Sequence, residues 1–240
     1  TYFIIETDYV NINGNDHTLY FKDISNYEGL VQNHKSSHIY VKNIIIKGEN
    51  SSLLEQSGWV LGSDYGLGDN IVENKVEGCK NFLPISYKSG GIIGCCAKIH
   101  ALNCENYGKF LSDDRLYGLS GGIAGSNCRG KIKNCYNMSE LDQNYCGGII
   151  YNTDYDLDII SCENFGALNN KRNAGIIVFV ASDDENKKKN NVNIIQCGNF
   201  GVLNSNTNRD GFCYGIIVAV IDISQVLIKR CFNLGNCEGY

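Results

Sequence analysis

Three carboxylates lie close together in the middle of the chain, at Asp154, Asp156 and Asp158, and Tyr155 stands between the first two. Glycoside hydrolysis requires two carboxyl groups roughly 5 to 9.5 Å apart, and a neighbouring tyrosine ring could stack on a sugar. Clustered carboxylate oxygens are also the ligands that Ca²⁺ prefers. A solvated acidic turn accounts for the same residues without any chemistry, and we favour it. We therefore assign no catalytic residue and keep these three aspartates as the candidates.

The twelve cysteines do not have the spacing of a metal or catalytic site. No CxxC pair occurs, and the adjacent Cys95 and Cys96 are not spaced as zinc ligands. These two lie near His100, but a nucleophilic thiol needs a lowered pKa in an exposed, electropositive setting. The flanking Ala97 and Ile99 predict a packed strand instead. We expect no metal, no cofactor and no nucleophilic cysteine.

Half of the cysteines belong to a repeated unit of Cys, any residue, Asn and a bulky apolar residue. The unit occurs six times, at 79–82, 104–107, 135–138, 162–165, 197–200 and 231–234. The Cys, Asn and bulky apolar positions keep their chemistry in every copy, whereas the second position varies freely. Internal periodicity on this scale indicates a solenoid, a propeller or an array. Constant inward positions with drifting outward ones are typical of stacked coils.

A second motif, a glycine followed by a short aliphatic or β-branched run, alternates with the first. The anchor glycines are Gly29, Gly58, Gly91, Gly122, Gly148, Gly175 and Gly215. The steps between them are uneven, the shortest from Gly122 to Gly148 and the longest from Gly175 to Gly215. Uneven steps are expected where strands align and the turns between them tolerate insertions. Short Ile and Val runs bounded by Gly, Asn, Asp and Ser are typical of strands.

These patterns predict an all-β fold, a right-handed parallel β-helix (β-solenoid) of about seven to eight coils with Cys, Asn and aromatic ladders. We expect one domain over residues 1–240, with the first coils in 1–50 and the repeats in 51–240. A propeller blade or a helical repeat would keep its period more tightly, and no 3.6-residue pattern is present.

Stacking predicts three ladders, whose equivalent positions lie about 4.8 Å apart. The cysteines Cys79, Cys104, Cys135, Cys162, Cys197 and Cys231 should be buried and reduced, since parallel side chains point the same way rather than at one another. The asparagines Asn81, Asn106, Asn137, Asn164, Asn199 and Asn233 should adopt left-handed geometry and bond the backbone of stacked neighbours. Beside them should stack Phe82, Tyr107, Met138, Phe165, Phe200 and Leu234. We interpret all three ladders as scaffold.

The late repeats differ from the early ones because they are solidly apolar, at 176–181 and 216–221. With a period of two, one residue of each alternate pair must face outward. Either Ile177, Phe179, Ile217 and Ala219 or their neighbours then form an exposed apolar stripe, and such stripes mark interaction surfaces. The alternative is that the insertion at 182–191 folds over these positions.

A net charge of −5 argues against nucleic acid or an anionic membrane as the partner. No uninterrupted apolar stretch approaches the length of a membrane-spanning segment, so we expect no membrane span. The chain starts at Thr1 without an initiator Met or a signal peptide, which indicates processing or a longer parent protein. No cap is visible after the last repeat, so we expect that further chain or another subunit covers that end.

The alternation of Gly121-Gly122-Ile123-Ala124-Gly125 with Leu102-Asn103-Cys104-Glu105-Asn106-Tyr107-Gly108 resembles GLUG-type repeats of the pectin-lyase-like right-handed β-helix class. Residues 12–21 are similar to the first coil of such proteins. This resemblance implies the fold far better than the function. Related repeats occur on bacterial surface proteins and in proteins of large DNA viruses, which implies a virion or an extracellular surface.

The same resemblance bears on the acidic stretch. Asn152-Thr153-Asp154 has the form of the first polygalacturonase motif, but the Gly-His-Gly and Arg-x-Lys parts of that pattern are missing. An enzyme or glycan binder would need charged residues aligned along several coils, and the repeats show no such alignment. We therefore expect a non-catalytic structural or interaction module of a larger assembly, a virion component or surface adhesion domain that binds other protein subunits. The alternative is a carbohydrate-active β-helix enzyme or glycan-binding protein that uses residues 152–158.

Overall fold

The computed structural model describes residues 2–33, 35–66, 74–111, 118–169, 172–181, 190–204, 213–220 and 225–238. All regular structure in these stretches is β. The strands are β1 (Phe3–Ile4), β2 (Asn11–Lys22), β3 (Val31–Gln32), β4 (Tyr40–Glu49), β5 (Lys75–Glu77), β6 (Lys80–Asn81), β7 (Lys98–Leu102), β8 (Glu105–Asn106), β9 (Arg129–Lys133), β10 (Tyr136–Asn137), β11 (Ile150–Thr153), β12 (Leu157–Ile160), β13 (Glu163–Asn164), β14 (Ile177–Val180), β15 (Asn191–Ile195), β16 (Gly198–Asn199), β17 (Leu203–Asn204), β18 (Ile217–Val220), β19 (Gln225–Lys229), β20 (Phe232–Asn233) and β21 (Cys237–Glu238). The described residues include no helix long and apolar enough to cross a membrane.

Three main stacks of parallel strands run along the described part of the molecule, and β17 pairs with β21 in a shorter fourth stack. The long-strand face consists of β2, β4, β5, β7, β9, β12, β15 and β19. The Asn face consists of the end of β4 followed by β6, β8, β10, β13, β16 and β20. The glycine face consists of β3, β11, β14 and β18, joined by isolated bridges such as Gly90 to Gly121 and Ile93 to Ala124. The predicted parallel β-solenoid is therefore confirmed.

The sequence repeats pair with one another coil by coil. Asn106 lies in register with Asn137, which in turn pairs with Asn164. The long-strand face has eight layers, and the complete coils make about six turns. The predicted seven to eight coils exceed this number because the layers formed by β2 and β4 lack the Cys-x-Asn unit.

The corner between the long-strand face and the Asn face is left-handed in every repeat. The residue at this corner immediately precedes the cysteine, and its φ is 61° at Gly78, 53° at Asn103 and 52° at Asn134. Ser161, Gln196 and Arg230 repeat the geometry. The predicted left-handed conformation of the ladder asparagines is therefore wrong. Those asparagines lie in short strands, and the sharp bend occurs before the cysteine instead.

The core consists of inward-facing aliphatic and cysteine side chains from all three faces. Val41, Val76, Ala101, Ile132 and Ile159 form one such column of paired inward positions, each 3% exposed or less. In the N-terminal coils the aromatic rings of Phe21, Tyr27 and Trp59 pack together, with ring centroids 4.9 to 5.6 Å apart. The alternation of inward apolar and outward polar residues thus fixes which side chains reach the surface.

Candidate functional site

The ladder asparagines form a continuous chain of side-chain hydrogen bonds through the core. The Asn106 amide donates to Asn137 Oδ1 at 2.9 Å, and the Asn137 amide donates to Asn164 Oδ1 at 2.8 Å. The same chain extends from Asn81 at one end to Asn233 at the other. Each amide also donates to a carbonyl two residues later, as Asn137 does to Ser139 at 2.7 Å. The amide ladder is confirmed, but it bonds neighbouring side chains rather than the neighbours' backbone.

The glycine motif and the asparagine motif meet across the interior. A Cβ atom on Gly122 would lie 2.6 Å from Asn137 Oδ1 and 2.2 Å from the Gly148 carbonyl. The same approach brings Gly91 against Asn106 and Gly148 against Asn164. The second residue of each Gly-Gly pair must therefore be glycine, because the asparagine ladder and the next coil occupy the space that a side chain at this position would need. This contact explains why the two motifs alternate in the sequence.

The cysteine ladder is buried and has no disulfide among the described cysteines. Its thiols donate to carbonyl groups two residues earlier, for example Cys135 to Lys133 at 3.3 Å and Cys162 to Ile160 at 3.4 Å. Burial, together with the adjacent thiols, raises the pKa of Cys135 well above its ordinary value. Cys231, in the last repeat, is only half-buried. The geometry is that of small hydrophobic side chains with satisfied thiol donors.

The third ladder lies on the outside of the molecule, and we call it the apolar stripe. Its members are Phe82, Tyr107, Met138, Phe165, Phe200 and Leu234. Phe82 is 40% exposed, Met138 38% and Leu234 66%. Neighbouring rings stack with centroids 4.6 Å apart for Phe82 and Tyr107 and 4.8 Å for Phe165 and Phe200. The stripe therefore presents apolar edges to the surroundings across all six repeats.

Sequence reasoning treated these residues as scaffold and missed their exposure. The signal was present in the strand period, because a residue that follows a fully buried position in an extended strand points the opposite way. Asn81, Asn106 and Asn137 are all fully buried, so Phe82, Tyr107 and Met138 must face outward.

Polar groups flank the N-terminal half of the apolar stripe. The Tyr107 hydroxyl donates to Glu105 Oε2 at 2.5 Å, and this bond raises the pKa of Tyr107 to about 12. Lys80 pairs with the other oxygen of Glu105 at 3.0 Å. An open groove of about 590 Å³ lies beside these residues, lined by Phe82, Pro84, Leu111 and their neighbours. This end of the stripe combines apolar surface with a polar rim, as interfaces do.

The three candidate aspartates differ in their surroundings. Asp156 is exposed and accepts the Asn191 backbone N–H at 2.7 Å. Asp158 lies on the long-strand face and accepts the Asn193 amide at 2.8 Å. Asp154 is half-buried on the turn after β11. Two of the three carboxylates are thus used in bonds to the following coil, and the alternative that residues 152–158 act on a glycan stays a hypothesis.

Cys95 and Cys96 occupy different surroundings. Cys95 is buried. The pKa of Cys95 is raised chiefly by its hydrogen bond with the Cys96 thiol and, to a smaller extent, by burial. Cys96 is half-buried at a left-handed corner with φ of 58°, so the predicted packed strand does not include it. A hydrogen bond with Cys95 lowers the pKa of Cys96, whereas Asp64 and Asp154 oppose that change. His100 lies exposed on the long-strand face.

The late apolar runs are more covered than the sequence predicted. Ile177 is fully buried on the glycine face. The prediction that Ile177 belongs to an exposed apolar surface of the late repeats is therefore wrong. The strand turns this residue inward because its register partner Ile150 is also a core residue. Phe179 is half-buried between Tyr145 and Tyr151, with ring centroids 6.2 and 5.9 Å away. Ile217 and Ala219 are half-buried as well, and their role at an interface stays a prediction. Most of the 182–191 insertion lies outside the described residues.

Charged residues do align on part of the long-strand face, contrary to expectation. Lys75, His100 and Lys131 occupy one column of paired positions across β5, β7 and β9. Lys98 and Arg129 occupy neighbouring positions in a second column, and Lys133 lies in a third, beside Leu102. We call these six residues the basic face. Side chains far apart in the sequence meet here because the corners set each coil in the same register.

The described residues contain no group of three His, Cys, Asp or Glu side chains placed to hold a metal ion. Comparison of the chain with protein-family models, with curated proteins and with solved structures gave no match.

Proposed function

We propose that this protein is a non-catalytic structural or interaction module of a larger assembly, and that it binds other protein subunits through the apolar stripe. The observation that carries the proposal is the exposure of large apolar side chains in five of the six stacked repeats, with Phe200 half-buried in the remaining one. Phe82, Tyr107, Met138, Phe165 and Leu234 are each more than a third exposed. A continuous exposed apolar surface of this kind marks an interaction site in soluble proteins.

The form of the apolar stripe supports a protein partner. Its rings stack face to face, so their edges rather than their faces are available for contact. A sugar ring stacks on an aromatic face, whereas apolar side chains of another subunit pack against edges. The rigid scaffold beneath also lowers the cost of binding, because side chains ordered before contact lose less freedom on association.

The carboxylates of the acidic stretch favour a non-catalytic role over a glycan-cleaving one. Asp156 and Asp158 accept hydrogen bonds from the next coil. A general acid in a glycosidase needs a raised pKa and free access to the glycosidic oxygen, and these two groups are held in structural bonds.

The resemblance to GLUG-type repeats of the pectin-lyase-like class suggests the setting of this assembly. We infer a virus particle or an extracellular surface, where repeats of similar pattern occur. The parallel solenoid is compatible with this assignment, although the same fold serves many functions.

The test combines native mass spectrometry with site-specific photo-crosslinking in the protein's source. A photoreactive residue at Met138 should give a covalent adduct with a subunit of the isolated complex. The matched control places the same group at Tyr9, which is exposed just before β2, at the end of that strand opposite the apolar stripe. Equal adducts from both positions, or a monomer of 26.6 kDa in the source, would contradict the proposal.

A substitution series then tests the contact directly. Met138→Ser with Phe165→Ser should dissociate the complex, since both side chains are outward and partly exposed. The melting temperature is measured alongside, because loss of the Phe165 and Phe200 stacking also costs some stability. Dissociation without unfolding supports the apolar stripe as the interface, whereas an intact complex rules it out.

A further inference from the structure

The basic face concentrates positive charge on a chain whose net charge is negative. Together with Lys42 on the preceding layer, it presents six cationic side chains, and His100 in addition, over four layers. The carboxylates on the same face are Glu77, Asp156 and Asp158. Six positive against three negative charges leave +3, while the whole chain carries −5. The charge is therefore segregated rather than evenly mixed.

Asp158 lies in register with Lys131 and Glu77 with Lys42, but the acidic neighbours of the basic face are engaged in hydrogen bonds. Asp156 and Asp158 bond Asn191 and Asn193 on the following coil, on the side away from β9. Glu77 accepts a hydrogen bond from the Tyr40 hydroxyl. Among the described residues, Lys22 and Lys80 form ion pairs and lie outside the basic face. In the same part of the chain Lys75, Lys98, Lys131 and Lys133 form no ion pair, which leaves their ammonium groups to an external anion.

The spacing of these cations has the period of an extended polypeptide. Lys131 and Lys133 stand two residues apart on one face of β9, with the buried Ile132 between them. Side chains two residues apart on a strand are separated by roughly 6.6 to 6.8 Å. A peptide strand laid along β9 with an acidic residue at every second position repeats at the same distance. Lys98 and Lys75 lie one and two layers away, about 4.8 Å per layer, and can contact the same carboxylates.

Other polyanions fit this surface less well. A planar anionic membrane would contact Asp156 and Asp158 as well as the lysines and would be repelled by the net charge of −5. Single-stranded nucleic acid binds through aromatic faces between the cations. Here the Tyr40 ring is covered by Lys42, 4.9 Å from its centroid, and the Tyr155 ring by Arg129 at 5.2 Å. A narrow chain can follow the basic columns alone.

We propose that the basic face binds an extended acidic polypeptide segment of a partner protein, whose Asp or Glu residues alternate with other residues and pair with Lys98, Lys131 and Lys133. This surface lies on a different side of the solenoid from the apolar stripe, so the two contacts are independent. Charge pairing at an exposed surface chiefly sets orientation and association rate, which suits a contact that positions subunits already held elsewhere.

The test uses two labelled peptides of identical composition and the purified whole chain. One peptide alternates Glu with Thr four times, and the other places its four Glu residues together before four Thr. Fluorescence anisotropy in low salt should show the alternating peptide binding at least fivefold more tightly than the block peptide. Affinity should fall steeply as salt is raised, because exposed charge pairs are screened.

Variants locate the binding surface. Lys131→Glu with Lys133→Glu should weaken binding of the alternating peptide at least tenfold. Lys35→Glu with Lys88→Glu changes the net charge equally at residues away from the basic face and should weaken it less than threefold. Circular dichroism checks that both variants are folded, and all four side chains are partly or fully exposed.

Three results would overturn the inference. Equal binding of the two peptides would exclude the strand-spaced geometry. Equal weakening by both pairs of substitutions would show that net charge alone decides the affinity. Tighter binding of a single-stranded oligonucleotide, or of vesicles containing anionic lipid, would assign the basic face to a different class of partner.

Discussion

At the scale of single residues, the asparagine ladder is the most constrained feature of the molecule. Asn137 is fully buried, donates to Asn164 and Ser139, and accepts from Asn106. Each of these bonds lies in a medium where an unsatisfied polar group costs about 1 to 3 kcal/mol. The ladder therefore acts as one network, in which the loss of one amide leaves partners unsatisfied on both sides.

Replacement of Asn137 by Ala should lower the free energy of unfolding by about 2 to 4 kcal/mol, because it leaves a donor and an acceptor of adjacent coils without partners. Urea denaturation followed by circular dichroism measures the change. The matched control is Asn233→Ala at the exposed end of the same ladder, where water replaces the lost bond and the cost should be below about 1 kcal/mol. Equal losses would show that the ladder does not act through burial.

The buried thiols make stability depend on alkaline pH. Burial raises the pKa of Cys128 and of Cys146 to about 12, from an ordinary value near 9. The folded state retains these protons while the unfolded chain releases them above about pH 9. Stability should therefore fall as pH rises from about 9 toward 12, by about 1.4 kcal/mol per pH unit for each thiol. Cys128→Ala with Cys146→Ala should flatten this slope relative to the wild type, and an unchanged slope would refute the assignment.

At the scale of elements, the shape of each coil is set by the close approach of the glycine face to the asparagine ladder and by the corner before the cysteine, rather than by strand length. The Asn-face strands are only two residues long, too short to be stable alone. They are held because the glycine face comes close enough for its glycines to contact the ladder amides. The left-handed corner before each cysteine then bends the chain at the same place in every repeat.

Replacement of Gly122 by Ala should lower the melting temperature more than any change of similar size on the surface. The new methyl group would lie within 2.6 Å of both the Gly148 carbonyl and Asn137 Oδ1, and Asn137 Oδ1 cannot move without weakening its bond from the Asn106 amide. Overpacking of this kind costs about 3 kcal/mol. Ser126→Ala, at a half-buried position four residues later, should change stability by less than about 1 kcal/mol. A wild-type melting curve for the glycine variant would exclude the close approach.

At the scale of the whole molecule, stability should be highest in the central coils. Each coil contacts only its neighbours, so the outer layers have one covered side. Ile194 is fully buried, whereas its register partner Ile228 in β19 is 46% exposed. The structure thus grades from a sealed interior to an open last described layer.

Hydrogen exchange should follow this gradient. Backbone amides in β9 and β12 should exchange roughly a hundredfold more slowly than those in β19, because the inner strands are paired on both sides and open only with larger parts of the solenoid. Mass spectrometry of peptic fragments can compare the three strands in one experiment. Uniform protection from β9 to β19 would contradict the expected gradient.

The sequence alone determined the class of fold and the identity of its ladders. Short motifs repeated at uneven steps, with strand-forming residues and variable turns between them, leave few architectures other than a parallel solenoid. The inward positions were recognisable because burial restricts residue type. Cysteine and asparagine recur at these positions, whereas the outward second position of the unit varies among residues such as Lys, Glu, Tyr and Phe. The buried asparagines confirm that interpretation in their hydrogen bonds.

Only the tertiary structure decided which surfaces the coils present. Exposure of Met138 and Phe165 depends on the direction of each short strand relative to its corner, and burial of Ile177 depends on its pairing with Ile150. The basic face depends on register between coils, since Lys75, His100 and Lys131 are distant in the chain and adjacent in the sheet. The sequence shows which residues repeat, but it does not show which of the repeating residues face outward, and the charged residues of the basic face do not repeat. Their arrangement arises only when the corners fix how the coils stack.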